Sequence, residues 1–126
     1  MKIVMKNGLP LVSVKLGYKS STITLENVLL DTGCAISVFD TDIVSSIGLM
    51  INTEIGRAVR MYGIGGKSEL AFQQTVDEIS IDSNNLSNYT LQLAMTKIPY
   101  GFDAILGVDY FTRSQATIDF KGFVVY

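Results

Sequence analysis

No histidine and no tryptophan occur in this 126-residue sequence, and cysteine appears once. Without histidine there is no Ser-His-Asp triad, no Cys-His pair and no HExxH metal site. One cysteine allows neither an intrachain disulfide nor a thiolate zinc cage. Charge is scarce as well: 17% of residues carry it and the formal sum is −2, where ordinary domains have about 25% charged residues. The pI is near 4.9 and no basic stripe is visible, so nucleic acid is not an expected partner. No run of ~18 apolar residues occurs, and Lys6 and Asn7 break the N-terminal stretch too early for a signal-peptide core. The expectation is a cytoplasmic protein with no membrane contact. Any catalysis is left to carboxylates, lysine, tyrosine, hydroxyls or the lone thiol.

Apolar side chains are plentiful by contrast. They make up 48% of the sequence, with 11 glycines besides. A chain of this length buries roughly two-thirds of its unfolded surface and can build a core without staples. Rich apolar content with little charge favours association with another copy. Length predicts a single domain over residues 1–126.

Period-two segments dominate. Leu11 to Leu16 alternates, Gly17 to Ser21 turns, and Thr22 to Leu25 returns as a hairpin strand. Val28-Leu29-Leu30 is a short apolar run ending in Asp31-Thr32-Gly33, the pattern of a buried strand feeding a turn. Ile36 to Phe39 reads as the next strand. Asp40-Thr41-Asp42 offers helix caps before Ile43 to Ile47, with Gly48 at the stop position. Further strands are expected at Ile51 to Arg60, Leu70 to Phe72, Val76 to Ile81 and Tyr89 to Met95, with a loop at Asp82 to Asn85. Ala104-Ile105-Leu106-Gly107 repeats the earlier theme of an apolar strand entering a turn, and Asp109 to Arg113 suits one or two helical turns. Thr117 to Phe120 and Phe123 to Tyr126 read as a terminal hairpin about a two-residue Lys121-Gly122 turn.

Three motifs carry chemistry. Asp31-Thr32-Gly33 alone could be an exposed β-turn, but it lies between Leu29-Leu30 and Cys34-Ala35-Ile36. A turn inside so apolar a stretch implies a sequestered carboxylate, which needs a reason. Tyr62-Gly63-Ile64-Gly65-Gly66 could be a plain hairpin turn or a flap that closes over a ligand. Gly66-Lys67-Ser68 matches the end of a phosphate loop, but Met61 stands where its first glycine belongs. Asp103 to Phe111, taken alone, is only a buried strand and turn.

Together and in this order, the three motifs resemble the retropepsin-like aspartic proteases. Leu30-Asp31-Thr32-Gly33 matches that family's catalytic motif, and Gly63-Ile64-Gly65-Gly66 its flap tip. Ile105-Leu106-Gly107 with Asp109-Tyr110-Phe111 looks like the Leu-Gly-x-Asp-Phe pattern of its cellular and bacterial members, as does Gly8-Leu9-Pro10 before the first strand. The resemblance runs from about residue 8 to residue 126. Cys34 departs from it, where Ala or Ser is usual, and Ala35 and Ile36 lack the charges that anchor substrate backbone in retroviral enzymes. The implied fold is a mostly β, closed acid-protease barrel with one or two short helices.

The implied activity is peptide-bond hydrolysis by two carboxylates within about 3 Å that share one proton. With one Asp-Thr-Gly per chain, Asp31 must meet Asp31 of a second copy, so a homodimer is expected. Thr32 resembles the threonine that bonds across the dyad, and Gly33 lets the chain pass close beneath. Tyr62, Gly63, Ile64, Gly65 and Gly66, with Val38 and Ile105, are the expected substrate-binding residues, favouring apolar side chains beside the cleaved bond. The resemblance implies no metal or cofactor. The terminal Phe123 to Tyr126 strand is the expected dimer contact. A catalytically inactive dimer that binds peptides or partner proteins would share every one of these fold features.

Overall fold

The computed structural model describes residues 1–62 and 68–126. Among these residues ten strands form in the order β1 (Val4–Lys6), β2 (Leu9–Tyr18), β3 (Ser21–Leu30), β4 (Val38–Asp40), β5 (Arg57–Tyr62), β6 (Ser68–Ile81), β7 (Asn84–Ala94), β8 (Ala104–Leu106), β9 (Ile118–Asp119) and β10 (Val124–Val125). Helices are short: α1 (Thr41–Val44) running into a 3-10 turn at Ser45–Ile47, α2 (Lys97–Tyr100) and α3 (Val108–Ser114). Eight strands share one sheet, and β2 also pairs with β6 through Leu16↔Ile79. That pairing closes β2, β3, β8, β4, β7 and β6 into a mixed six-stranded barrel. Closure removes the open sheet edges that such apolar strands would otherwise present.

Local chemistry explains the elements. The β2–β3 hairpin turns at Lys19-Ser20, both at positive φ, a geometry whose twist matches the strands it joins. The Lys19 amide is held by Asp77 Oδ2 at 2.6 Å. The Asp40 carboxylate caps α1 by accepting from the Ile43 amide at 3.2 Å. Gly48, at φ 80°, ends the following turn, a left-handed conformation that costs glycine little. The core holds Val14, Leu16, Leu25, Val28, Phe39, Leu91, Leu106 and Tyr110, each essentially sealed from solvent.

Several expected boundaries move. The two segments Thr22 to Leu25 and Val28 to Leu30 are one continuous strand, and so are Leu70 to Phe72 and Val76 to Ile81. The strand expected at Ile51 to Arg60 begins only at Arg57, because Asn52 Oδ1 turns the chain by accepting the Glu54 amide at 2.9 Å. The loop expected at Asp82 to Asn85 shrinks to Asp82-Ser83, since Asn84 already pairs with Ile81. The terminal hairpin has four turn residues rather than two: Asp119 pairs with Val124, and Asp119 Oδ1 accepts the amides of Lys121 and Gly122. The hairpin β1–β2 and helix α2 have no counterpart in the sequence reading.

The terminal strand is engaged on both sides. Strand β9 fills one edge of β10. Residues Met1 to Ile3 fill the other, through Lys2↔Val124, Val125 N–H to Met1 O and Ile3 N–H to Phe123 O. Strand exchange through Phe123 to Tyr126 would have to break these bonds. Among the described residues no helix is long and apolar enough to cross a membrane.

Candidate active site

Strand β8 threads between β3, to which it runs parallel, and β4, to which it runs antiparallel. The segment Asp31 to Ser37 connects those two flanking strands and so must cross the end of β8. The crossing is pinned by backbone bonds: Asp31 N–H to Leu106 O at 3.0 Å, and Val108 N–H to Cys34 O at 2.8 Å. It passes so close to Gly107 that a Cβ there would sit 2.4 Å from Cys34 O. Glycine is required at position 107 for that reason, not for a special backbone angle.

Asp31 leaves β3 half-buried, with exposed Thr32 and Gly33 beside it. Its Oδ1 accepts the Gly33 amide at 2.9 Å, and the Cys34 amide returns to its carbonyl at 3.1 Å. An ionised carboxylate can accept about four hydrogen bonds. Among the described residues its side chain takes this one bond, which leaves room for a reactant. Cys34 donates its thiol to Ile36 O at 3.0 Å, and burial pushes that thiol above its usual pKa.

Beneath the loop lies a polar cluster. Ser37, fully buried, accepts the Gly107 amide on Oγ at 2.9 Å and donates from Oγ to Asp109 Oδ1 at 2.8 Å. The Ser37 amide reaches the same Asp109 oxygen at 3.0 Å. Tyr89, from β7, donates its hydroxyl to Asp109 Oδ2 and lies 3.1 Å from Ser37 Oγ. Burial first, and the bond to Asp109 second, push the Tyr89 hydroxyl far above its usual pKa, so it stays a donor. Neither Tyr89 nor Ser37 is singled out by sequence reasoning. Tyr89 looks like an ordinary strand aromatic, and only its pairing across the barrel brings it to Asp109.

Two grooves flank this region. One, of about 330 Å³, is lined by Gly33, Cys34, Ala35, Ile36, Arg60, Met61 and Gln92. The other, of about 460 Å³, is lined by Glu69, Leu70, Ala94, Met95, Ile98 and Pro99, and Ile98 is 78% exposed. Between them Val38, Ala71 and Ala94 form a small buried cluster against which Cys34, Val59 and Met61 pack. Val38 therefore lies in the floor of the region rather than in a groove wall. Ile105 is its cross-strand partner and is partly buried. The apolar walls at Met95, Ile98 and Pro99 were missed in the sequence, where Met95 closed a strand and the residues after it were unassigned. The flap residues Gly63, Ile64, Gly65 and Gly66 lie outside the described residues. Tyr62 enters only through its backbone, which pairs with Ser68 at the end of the β5–β6 ladder.

The remaining aspartates near β8 are committed. Asp103 holds Lys97 Nζ at 2.8 Å and the Asn27 amide at 3.3 Å. Asp40, at 3% exposure, accepts the amides of Thr96 at 2.9 Å and Lys97 at 2.8 Å, as well as that of Ile43. Burial works to raise its pKa, but the amides of Lys97, Thr96, Ile43 and Asp42 outweigh it and hold the carboxyl below the usual aspartate range.

The fold has solved counterparts. A retropepsin-like aspartic protease from Rickettsia conorii matches with a TM-score of 0.67 at 15% identity, over 99% of this chain and 87% of that one. The retroviral protease-like domain of Ddi1 from Leishmania major matches with a TM-score of 0.55 at 13% identity, over 92% and 85% of the two chains. No known family's sequence profile matches the chain, and no curated protein matches it in sequence. The fold of the chain is that of the retropepsin-like aspartic proteases.

Proposed function

We propose that two copies of this chain form an aspartic endopeptidase, with water activated between the two Asp31 carboxylates. The observation that carries the reading is the posture of Asp31. It ends a barrel strand with one hydrogen bond to its side chain, exposed neighbours and a groove alongside. Asp103 and Asp109 are each held by donors of their own, so the second acid in this reading comes from a second copy. The retropepsin-like fold supports the same reading.

In this reading one Asp31 is ionised and takes a proton from water as the water oxygen bonds to the scissile carbonyl carbon. The partner subunit's Asp31, protonated, donates to the carbonyl oxygen. The tetrahedral intermediate then collapses: one of its hydroxyls returns a proton to the partner subunit's Asp31, the C–N bond breaks, and the amine leaves with the proton that the first Asp31 took from water. Thr32 holds the two loops together and Gly33 keeps them close. Residues 62–66 cover an extended peptide, whose apolar side chains meet the Met95, Ile98 and Pro99 walls and Ile105. Because β10 is filled on both edges, the dimer contact lies elsewhere than in exchange of that strand. The catalytic step needs no metal.

The test is a peptide library incubated with the purified protein between about pH 3 and 8, with cuts read by mass spectrometry. Cleavage below neutral pH, resistant to EDTA and blocked by a statine-type inhibitor, is expected. Cleavage abolished by EDTA, or no cleavage at any pH, overturns the proposal.

A further inference from the structure

We propose that Asp109 is a positioning residue for the Asp31 loop, acting through the hydrogen bonds it accepts from Ser37 and Tyr89 rather than through its charge. The proposal rests on the reading of Asp31 as the reacting carboxylate.

Every polar atom of Ser37 is used. Its amide and hydroxyl go to Asp109, its Oγ receives the Gly107 amide, and its carbonyl receives the Gln92 amide at 3.0 Å. Ser37 is the residue at which the loop from Asp31 re-enters the barrel. Asp109, on the first turn of α3, thus ties that loop to the helix that follows β8. Tyr89 reaches the second oxygen from β7, so three elements converge on one carboxylate. Cys34 O and Asp31 N–H, bonded to Val108 and Leu106, fix the loop's other half to the same segment. Freedom at Ser37 would be passed to Asp31 through five residues whose side-chain anchors, among the described residues, are Gly33 N–H on Asp31 and Cys34 on Ile36.

The chemistry separates hydrogen bonding from charge. In Asp109→Asn, Oδ1 still accepts both Ser37 donors. Nδ2 donates to the Tyr89 oxygen, and the Tyr89 proton turns to Ser37 Oγ, 3.1 Å away. The network closes without the negative charge. In Asp109→Leu the Ser37 amide and hydroxyl lose their acceptor while remaining enclosed, and only the Tyr89 proton keeps one, Ser37 Oγ, the costly case.

The experiment compares wild type, Asp109→Leu, Asp109→Asn and Tyr89→Phe as full chains. Each is assayed on the library peptide that wild type cuts fastest, at concentrations giving equal dimer by sedimentation. Amide hydrogen exchange is read over residues 31–37 and over β2, β3, β6 and β7. For Asp109→Leu, kcat is expected to fall about a hundredfold with KM within about threefold, the pattern of a misplaced reacting group. Exchange over 31–37 should rise about tenfold while the barrel strands keep their protection. Asp109→Asn should stay within about threefold of wild type in both readouts. If Asp109→Leu does not fold, Tyr89→Phe decides, with kcat about tenfold down and KM unchanged. An Asn variant as poor as the Leu variant overturns the proposal, as does an effect carried by KM, loop exchange unaltered in Asp109→Leu, or full activity in Tyr89→Phe. A wild type inert toward every peptide refutes the proteolytic reading. Loop exchange in the Leu and Asn variants then still decides the positioning claim, and equal protection in the two refutes it.

Discussion

The apolar end of β3 and the short strand β8 lie side by side in parallel, with Val28 opposite Ala104, Leu29 opposite Ile105 and Leu30 opposite Leu106. Each runs out of the barrel into a turn, and each is followed by an aspartate and a glycine. Beyond that they diverge. Asp31 follows its strand at once and takes one local amide on its side chain. Asp109 lies in the first turn of a helix and takes three donors from Ser37 and Tyr89. The same carboxyl group is thus left mostly unpartnered in one place and held by three donors in the other. On the proposed reading, what separates the reacting aspartate from a structural one is the number of donors its neighbours aim at it.

The sharpest way to break this contrast is Asp31→Asn. The variant should fold and melt close to wild type but lose cleavage by a factor on the order of 10⁴, as when one member of a catalytic unit is removed. Mixed in equal amounts with wild type under free exchange, it should leave about a quarter of the activity of the same amount of wild-type dimer, as random pairing in a two-fold assembly requires. A value near one half, read from initial rates, would mean that each chain works alone.

The two glycines beside the paired strands give the next test. A Cβ at Gly107 would meet backbone, Cys34 O at 2.4 Å, whereas one at Gly33 meets only Asp31 Oδ1, at 3.2 Å. Gly107→Ala should therefore lower stability by about 1–3 kcal/mol in urea titration, the usual cost of overpacking. Gly33→Ala should cost less than about 1 kcal/mol yet reduce kcat about tenfold by pushing the carboxylate aside.

Asp40 extends the contrast to a saturated carboxylate away from the loop. Its folded pKa is depressed, so its contribution is complete above the unfolded value near pH 4 and is lost as the pH falls through the lower folded value. Asp40→Asn should cost about 1–3 kcal/mol at neutral pH, and the gap to wild type should close in acid-titrated melting curves. The smallest effect belongs to Cys34. With its thiol pKa raised by burial, alkylation by iodoacetamide near pH 8 should be a few-fold slower than in the urea-unfolded chain, since only the thiolate reacts.

Much of this was legible in the residues. The two apolar strands, their turns, the capped helix at Asp40 and the stop at Gly48 follow from patterns that stay within a few positions. Strand β6 reads as two strands in the sequence because Gln73, Gln74 and Thr75 interrupt its apolar run. Pairing with β5, β7 and β2 over its length overrides that interruption. Helix α2 was hidden by Pro99, which its first turn tolerates because the missing amide has no partner there. The Ser37–Asp109–Tyr89 cluster could not be seen, since Tyr89 and Asp109 lie 52 and 72 positions from Ser37 and 20 from each other. Spacing reports on helix faces and hairpins, not on contacts made across a closed barrel.

The passage of β8 between β3 and β4 also sets an order in time. At the start of the parallel pair, Asn27 bonds Asp103 across 76 positions, and a loop of that length has to close before the pair is rewarded. A chain emerging from the ribosome presents Asp31 early but lacks the strand on which its loop rests until residues 104–107 have been made. The nascent polypeptide carries the aspartate without the frame that holds its loop, and that frame is complete only once residues 104–107 have been added.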